Sequence, residues 1–179
     1  MEIIISAVIV ALLVGLDQLT KFLAELFLKA SDSIVIIDNV IELTFSYNTG
    51  AAFSMFENFP YFPLLISIIG VIVIPYFFKF VSFKRRPLYT IALMLVYAGT
   101  WGNFIDRLLT VLGLKEGVVD FFNFLFMNFA VFNVADIYLT VGMALLCVYV
   151  FFFEHKDPIV LFPKKDKGEV SDGEDNNQI

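Results

Sequence analysis

Apolar positions run almost unbroken over residues 3 to 24, 61 to 82, 88 to 106 and 129 to 153, and polar residues return only between these runs. A helix needs ~20 apolar residues to cross a hydrocarbon core, so each run predicts a membrane-spanning helix. The expected fold is an α-helical membrane protein of four spans, with residues 1–155 as the membrane domain and residues 156–179 as a tail. The end of that tail, EVSDGEDNNQI, is polar and lacks aromatics, a composition that predicts disorder.

The connection over residues 25 to 60 changes period. Ile41-Glu42-Leu43-Thr44-Phe45-Ser46-Tyr47-Asn48 alternates apolar and polar side chains, as a half-buried strand does. Ser33 to Ile37 is its expected partner across Asp38-Asn39, giving a small β-sheet at the outer membrane surface. Asn48-Thr49-Gly50 reads as a turn, and Ala51 to Phe56 as a short interfacial helix. In the connection over residues 107 to 128, Gly117 to Phe122 is apolar enough to dip into the membrane surface.

Composition agrees: 59% of residues are apolar, 17% aromatic and 17% charged, with a mean hydropathy of +0.84, which excludes an ordinary soluble domain. The net charge of −6 is misleading, because the last eleven residues hold four of the eighteen acids. The bases are more informative. Lys79, Lys84, Arg85 and Arg86 fall between spans two and three, and Lys156, Lys164, Lys165 and Lys167 follow span four. By the positive-inside rule both termini are then cytoplasmic, and the two base-poor loops face outward. Met1-Glu2 lacks the basic start of a signal peptide, so the first run reads as a retained helix. Cys147 stands alone and reads as a packing residue. The chain shows no phosphate-binding loop, no H-E-x-x-H and no C-x-x-C, and neither a cofactor nor a nucleic-acid partner is expected.

An ionisable group in hydrocarbon needs a partner or a purpose. Nearly all such groups here collect at one depth. Asp17 lies about 21 Å along a helix entering from the cytoplasm. Asn103, Asp106 and Arg107 close span three, Asn133 and Asp136 open span four, and Asp120 precedes them in the outer loop. Asp17 with Lys21 reads first as a structural ion pair snorkelling to the interface, and Asp106 beside Arg107 as an internal ion pair. Asp136 has only the neutral Asn133 and Thr140 near it on its own helix, which marks it as functional. If Asp120 is carried to Asp136, the two carboxyls cannot both ionise in a low dielectric. One is then base and the other acid, as peptide hydrolysis by an activated water requires. The one histidine, His155, lies nineteen residues beyond Asp136, about 28 Å along the helix, which removes Ser-His and Cys-His mechanisms. No metal is expected, since His and Cys ligands are missing and only an oxygen-ligated ion could sit among Asp106, Asp120 and Asp136.

Five blocks, Asp17-Gln18-Leu19-Thr20-Lys21, Asn48-Thr49-Gly50-Ala51-Ala52-Phe53, Gly102-Asn103-Phe104-Ile105-Asp106-Arg107, Val118-Val119-Asp120-Phe121 and Phe132-Asn133-Val134-Ala135-Asp136, resemble those of the lipoprotein signal peptidases (signal peptidase II) in order and spacing. The resemblance covers about residues 5 to 150. It implies a monomeric aspartyl endopeptidase of the bacterial inner membrane, working among membrane lipid, that removes signal peptides from diacylglyceryl-modified prolipoproteins. By the same matching, Asp120 and Asp136 are the catalytic pair. Asn48, Gly50, Asn103, Arg107 and Asn133 contact substrate or order the site, while Asp17, Lys21 and Asp106 are structural. Thr100-Trp101 departs from the family's usual small residues, and Met127 to Phe132 lacks its usual aromatic-proline. A proton-coupled transporter or a non-catalytic scaffold are the alternatives that the acids also admit. A proton relay would continue polar groups toward the cytoplasmic side, where spans two to four are nearly apolar.

Overall fold

The computed structural model describes residues 1–31, 33–49, 61–153, 155 and 159. Among them the elements run α1 (Glu2–Leu28), β1 (Ile34–Ile37), β2 (Ile41–Asn48), α2 (Phe62–Val73) with a 3-10 continuation over Ile74–Phe80, α3 (Pro87–Val111), β3 (Val118–Phe124) and α4 (Val134–Phe152). Gly50, the interfacial helix expected over Ala51 to Phe56 and the acidic end of the tail lie outside the described residues.

Each of the four helical segments is long and apolar enough to cross a membrane. Packing sets α3 apart, with 61% of its spanning stretch buried against 11–17% in the other three. It is the central helix, touching α1, α2 and α4. The outer helices turn Ile4, Leu12, Phe22, Ile72 and Phe151 outward, while Asp17, Lys21, Asn103 and Asp106 are buried. Lipid solvates the former and only protein can solvate the latter.

Span two does not remain α-helical to its end. Pro75 has no N–H for the i→i−4 ladder, and from Ile74 the chain tightens into 3-10 geometry. At the close of α3, Gly113 adopts φ +72°, and Leu114 N–H donates to Leu109 O while Gly113 N–H donates to Thr110 O. This is a Schellman stop, which favours glycine at the left-handed position. It turns the chain back toward the helix it has just left.

Among the described residues the strands form one antiparallel sheet in the order β1-β2-β3. The hairpin is as expected, turning through Asp38 and Asn39, whose φ of 59° an asparagine tolerates. The third strand differs from expectation: the segment carrying Asp120 does not simply dip toward the membrane but pairs with β2, Ser46 opposite Asp120 and Asn48 opposite Val118. Phe132 then bridges to Phe122. Residues 129 to 133 therefore precede α4 instead of belonging to it, and the helix begins at Val134.

The molecule thus has two unlike ends. Ser82 Oγ donates to Glu2 Oε1 at 3.2 Å, which places the start of α1 beside the basic connection Lys84-Arg85-Arg86. At the other end Ala24 and Leu28 of α1 pack with Val119 and Phe121 of β3, holding the sheet against the helices. Lys29, at the end of α1, donates to Tyr47 Oη at 3.0 Å and pairs with Glu116 at 3.2 Å, which adds a polar seam to that contact.

Candidate active site

Each polar residue arrives by a separate local cause. Asn133 is the N-cap of α4, its Oδ1 accepting from Asp136 N–H at 3.1 Å while Asp136 Oδ2 accepts from Asn133 N–H at 3.1 Å. This reciprocal capping box fixes both side chains relative to the helix start. Asp120 is placed by strand register. Asn48 lies diagonally across the pairing, on the same face of β2 as Ser46, and its Nδ2 donates to Asp120 Oδ2 at 2.9 Å.

The helices then bring these groups together. Asn133 Nδ2 donates to Asp120 Oδ1 at 2.6 Å and to Asn103 Oδ1 at 3.1 Å. Asn103 Nδ2, from α3, donates to Asp136 Oδ1 at 2.8 Å. Asn48, Asn103, Asp120, Asn133 and Asp136 therefore form one hydrogen-bonded cluster drawn from β2, α3, β3 and α4. Asp120 is only 2% exposed. Burial pushes its carboxyl up to about 6; the Asn48 N–H opposes this, Asp136's charge adds to it, and Asn133 and Lys21 oppose it.

Beneath the cluster lies a buried ion network. Lys21 Nζ is 2.9 Å from Asp17 Oδ2 and 2.7 Å from Asp106 Oδ2, and it donates to Asn103 Oδ1 at 3.0 Å. Asp17 Oδ1 accepts Ala135 N–H at 2.8 Å, joining α1 to the first turn of α4. Lys115 reaches Asp106 Oδ1 at 2.6 Å from the connection that the Schellman stop folds back. Two sequence expectations are corrected here. Lys21 does not snorkel: it is fully buried, because α1 and α3 surround it with two carboxylates and an amide oxygen at the packing interface. Asp106 pairs with Lys21 and Lys115, whereas its neighbour Arg107 donates to Ser67 Oγ of α2 at 2.7 Å. Adjacent residues point to different sides of a helix.

Ser67 and Lys115 are polar partners that the sequence pattern did not single out. Ser67 sits in an otherwise bland span, and Lys115 in a loop with no periodicity. A serine inside a 19-residue apolar run was the available sign. The Trp101 departure does not reach the cluster, since its ring meets Tyr97 and Phe104 edge to face along α3.

Two openings meet at the acids. One, of about 380 Å³, is walled by Phe129, Phe132, Ile137 and Val141 and reaches Asp136 and Asn48. The other, of about 200 Å³, is lined by Ser46, Asn48, Thr49 and Asp120. Asn48, Ala130 and Val131 border both. A larger cavity of about 490 Å³ lies away from the acids, against Val10, Pro75 and Phe78, and its walls are apolar.

The fold matches two solved structures, each described as a bacterial membrane enzyme: one at a TM-score of 0.70 and 31% identity, covering 89% of this chain and 94% of that one, the other at 0.68 and 33%, covering 83% and 93%. Four apolar spans around a buried polar cluster are thus a bacterial multi-pass membrane enzyme. The family model for signal peptidase (SPase) II matches residues 9–152. Similar proteins include the lipoprotein signal peptidase of Brevibacillus brevis, 38% identical over 144 residues spanning 80% of this chain and 92% of the relative. That of Shouchella clausii is 43% identical over 140 residues, spanning 78% and 88%. The chain belongs to the signal peptidase II family, proteases of the aspartic type.

Proposed function

We propose that the protein removes signal peptides from diacylglyceryl-modified prolipoproteins, with Asp120 and Asp136 activating the attacking water. The observation that carries this reading is the position of Asn133, which hydrogen-bonds Asp120 through its side chain and Asp136 through its backbone. That arrangement supports two carboxyls acting on one water.

Asp120, whose carboxyl titrates at about 6, is assigned the proton. Asp136 takes a proton from water as the water oxygen attacks the scissile carbonyl carbon. Asp120 gives its proton to the departing amine nitrogen as the C–N bond breaks, and no covalent intermediate is needed. Asn48, Asn103 and Asn133 are assigned to ordering the acids, and Arg107 with Gly50 to holding substrate backbone. The apolar opening beside Asp136 suits a lipid-bearing or signal-peptide side chain, and the polar opening beside Asp120 suits extended backbone. The placement of Lys84, Arg85 and Arg86 at the end away from the acids supports cytoplasmic termini and a site on the outer face of the inner membrane. Residues 1–155 form the working domain in this reading.

The test is cleavage of a diacylglyceryl-modified precursor by purified protein in detergent. Wild type is expected to cleave it, with Asp120→Asn and Asp136→Asn each reduced by about 10³-fold or more while folding and inserting normally. Undiminished cleavage by either variant would overturn the assignment.

A further inference from the structure

We infer that Lys21 is a positioning residue for the reaction: its ammonium fixes the direction of the Asn103 side-chain amide, so that the N–H group faces Asp136 and the oxygen anchors Asn133. The inference rests on Asp120 and Asp136 being the reacting pair.

A side-chain amide has a donor end and an acceptor end, and only its neighbours decide which way it points. Asn133 is decided by the helix it caps, because its oxygen must accept Asp136 N–H, which leaves its Nδ2 for Asp120 and Asn103. Asn103 has no such backbone constraint. Its Oδ1 accepts from Lys21 at 3.0 Å and Asn133 at 3.1 Å, and its Nδ2 donates to Asp136 at 2.8 Å. Turned over, its NH₂ would face an ammonium, which has donors only, and its oxygen would face a carboxylate. Lys21 therefore acts on Asp136 without touching it.

Charge balance does not require that contact. The groups in ion-pair contact with Lys21 are Asp17 from α1 and Asp106 from α3, Asp106 also has Lys115 from the connection after α3, and the charge of Lys21 reaches Asp120 without contact. Two buried acids are met by two cations, so the bond from Lys21 to Asn103 is additional to the ion pairs. Asp17 is in turn held by Ala135 N–H and Gln18 Nε2. The ammonium is thereby fixed from both helices and cannot drift off the Asn103 oxygen.

Lys21→Met alone leaves the buried Asp17 without a cation, so the test neutralises a matched pair. D17N/K21M removes the donor, whereas D17N/K21Q keeps an N–H on a side chain one atom shorter. Both are compared with wild type on a synthetic diacylglyceryl-modified precursor peptide, with thermal unfolding in detergent as the check on folding. D17N/K21M is expected to lose about tenfold to a hundredfold in kcat with KM within about threefold, and D17N/K21Q to recover most of the loss. Equal kcat in the two doubles, kcat near wild type in D17N/K21M, or failure of both doubles to fold would assign Lys21 to the fold alone and overturn the inference. Asp120→Asn and Asp136→Asn run alongside: if they are active the dyad reading itself fails, and if they are inactive the two doubles decide the role of Lys21 by themselves.

Discussion

Asn133 approaches Asp120 to 2.6 Å from the cap of a different element, so one side chain both starts α4 and joins it to the strand carrying the loop acid. Capping and bridging use opposite ends of the same amide, the oxygen toward Asp136 N–H and the nitrogen toward Asp120. The two duties can therefore be separated by substitution.

Asn133→Ser keeps a good N-cap but loses the nitrogen, and Asn133→Ala loses both. Precursor cleavage is expected to fall by about a hundredfold in both variants. Thermal unfolding in detergent is expected to place Asn133→Ala about 1 kcal/mol below Asn133→Ser, the usual worth of a cap. Wild-type cleavage by Asn133→Ser would show that the Asp120 contact is dispensable.

The titration of Asp120 sets a pH dependence with a definite sign. Its carboxyl binds a proton more tightly folded, at about 6, than at its ordinary value of 3.8. This group's contribution to stability is then full below that ordinary value and is lost as pH rises through about 6. Asn48 N–H favours the ionised form, so Asn48→Ala is expected to move the Asp120-dependent limb of the kcat/KM profile to higher pH. A limb that stays in place or moves to lower pH would contradict this account.

At Gly102 the α3 backbone packs tightly against Asp17 of the ion network. A Cβ built there would lie 2.5 Å from Asp17 Oδ2 and 2.9 Å from the Ala135 Cβ, with α1 and α4 on either side. Gly102→Ala is expected to destabilise the protein by about 1–3 kcal/mol, as overpacking of a tight interface does. An unchanged melting temperature in detergent would count against so close an approach.

Ser67 holds Arg107 from α2. Ser67→Ala is expected to raise KM for the precursor about threefold to tenfold with little change in kcat, since on the proposed assignment it loosens the guanidinium that holds substrate and leaves the acids alone. A loss confined to kcat would place Arg107 in the chemical step instead.

What could be read from the chain follows from short-range physics. The length of each apolar run specifies a span, the two-residue alternation from Ile41 to Asn48 specifies a strand, and Asp38-Asn39 specifies its turn. Local patterns also showed that Asp17, Asp106 and Asp136 gather toward one level, because depth depends only on position along a helix. Which of them meet was decided elsewhere. Asp120 reaches the cluster through the pairing of β3 with β2, Asp106 takes Lys115 because the chain reverses at Gly113, and α4 begins late because Phe132 bonds to β3. The bond from Ala135 to Asp17 spans 118 residues and that from Lys21 to Asn103 spans 82. Periodicity reports which face a side chain occupies, whereas a partner so distant in sequence, and the direction in which an amide points toward it, exist only once the helices have packed.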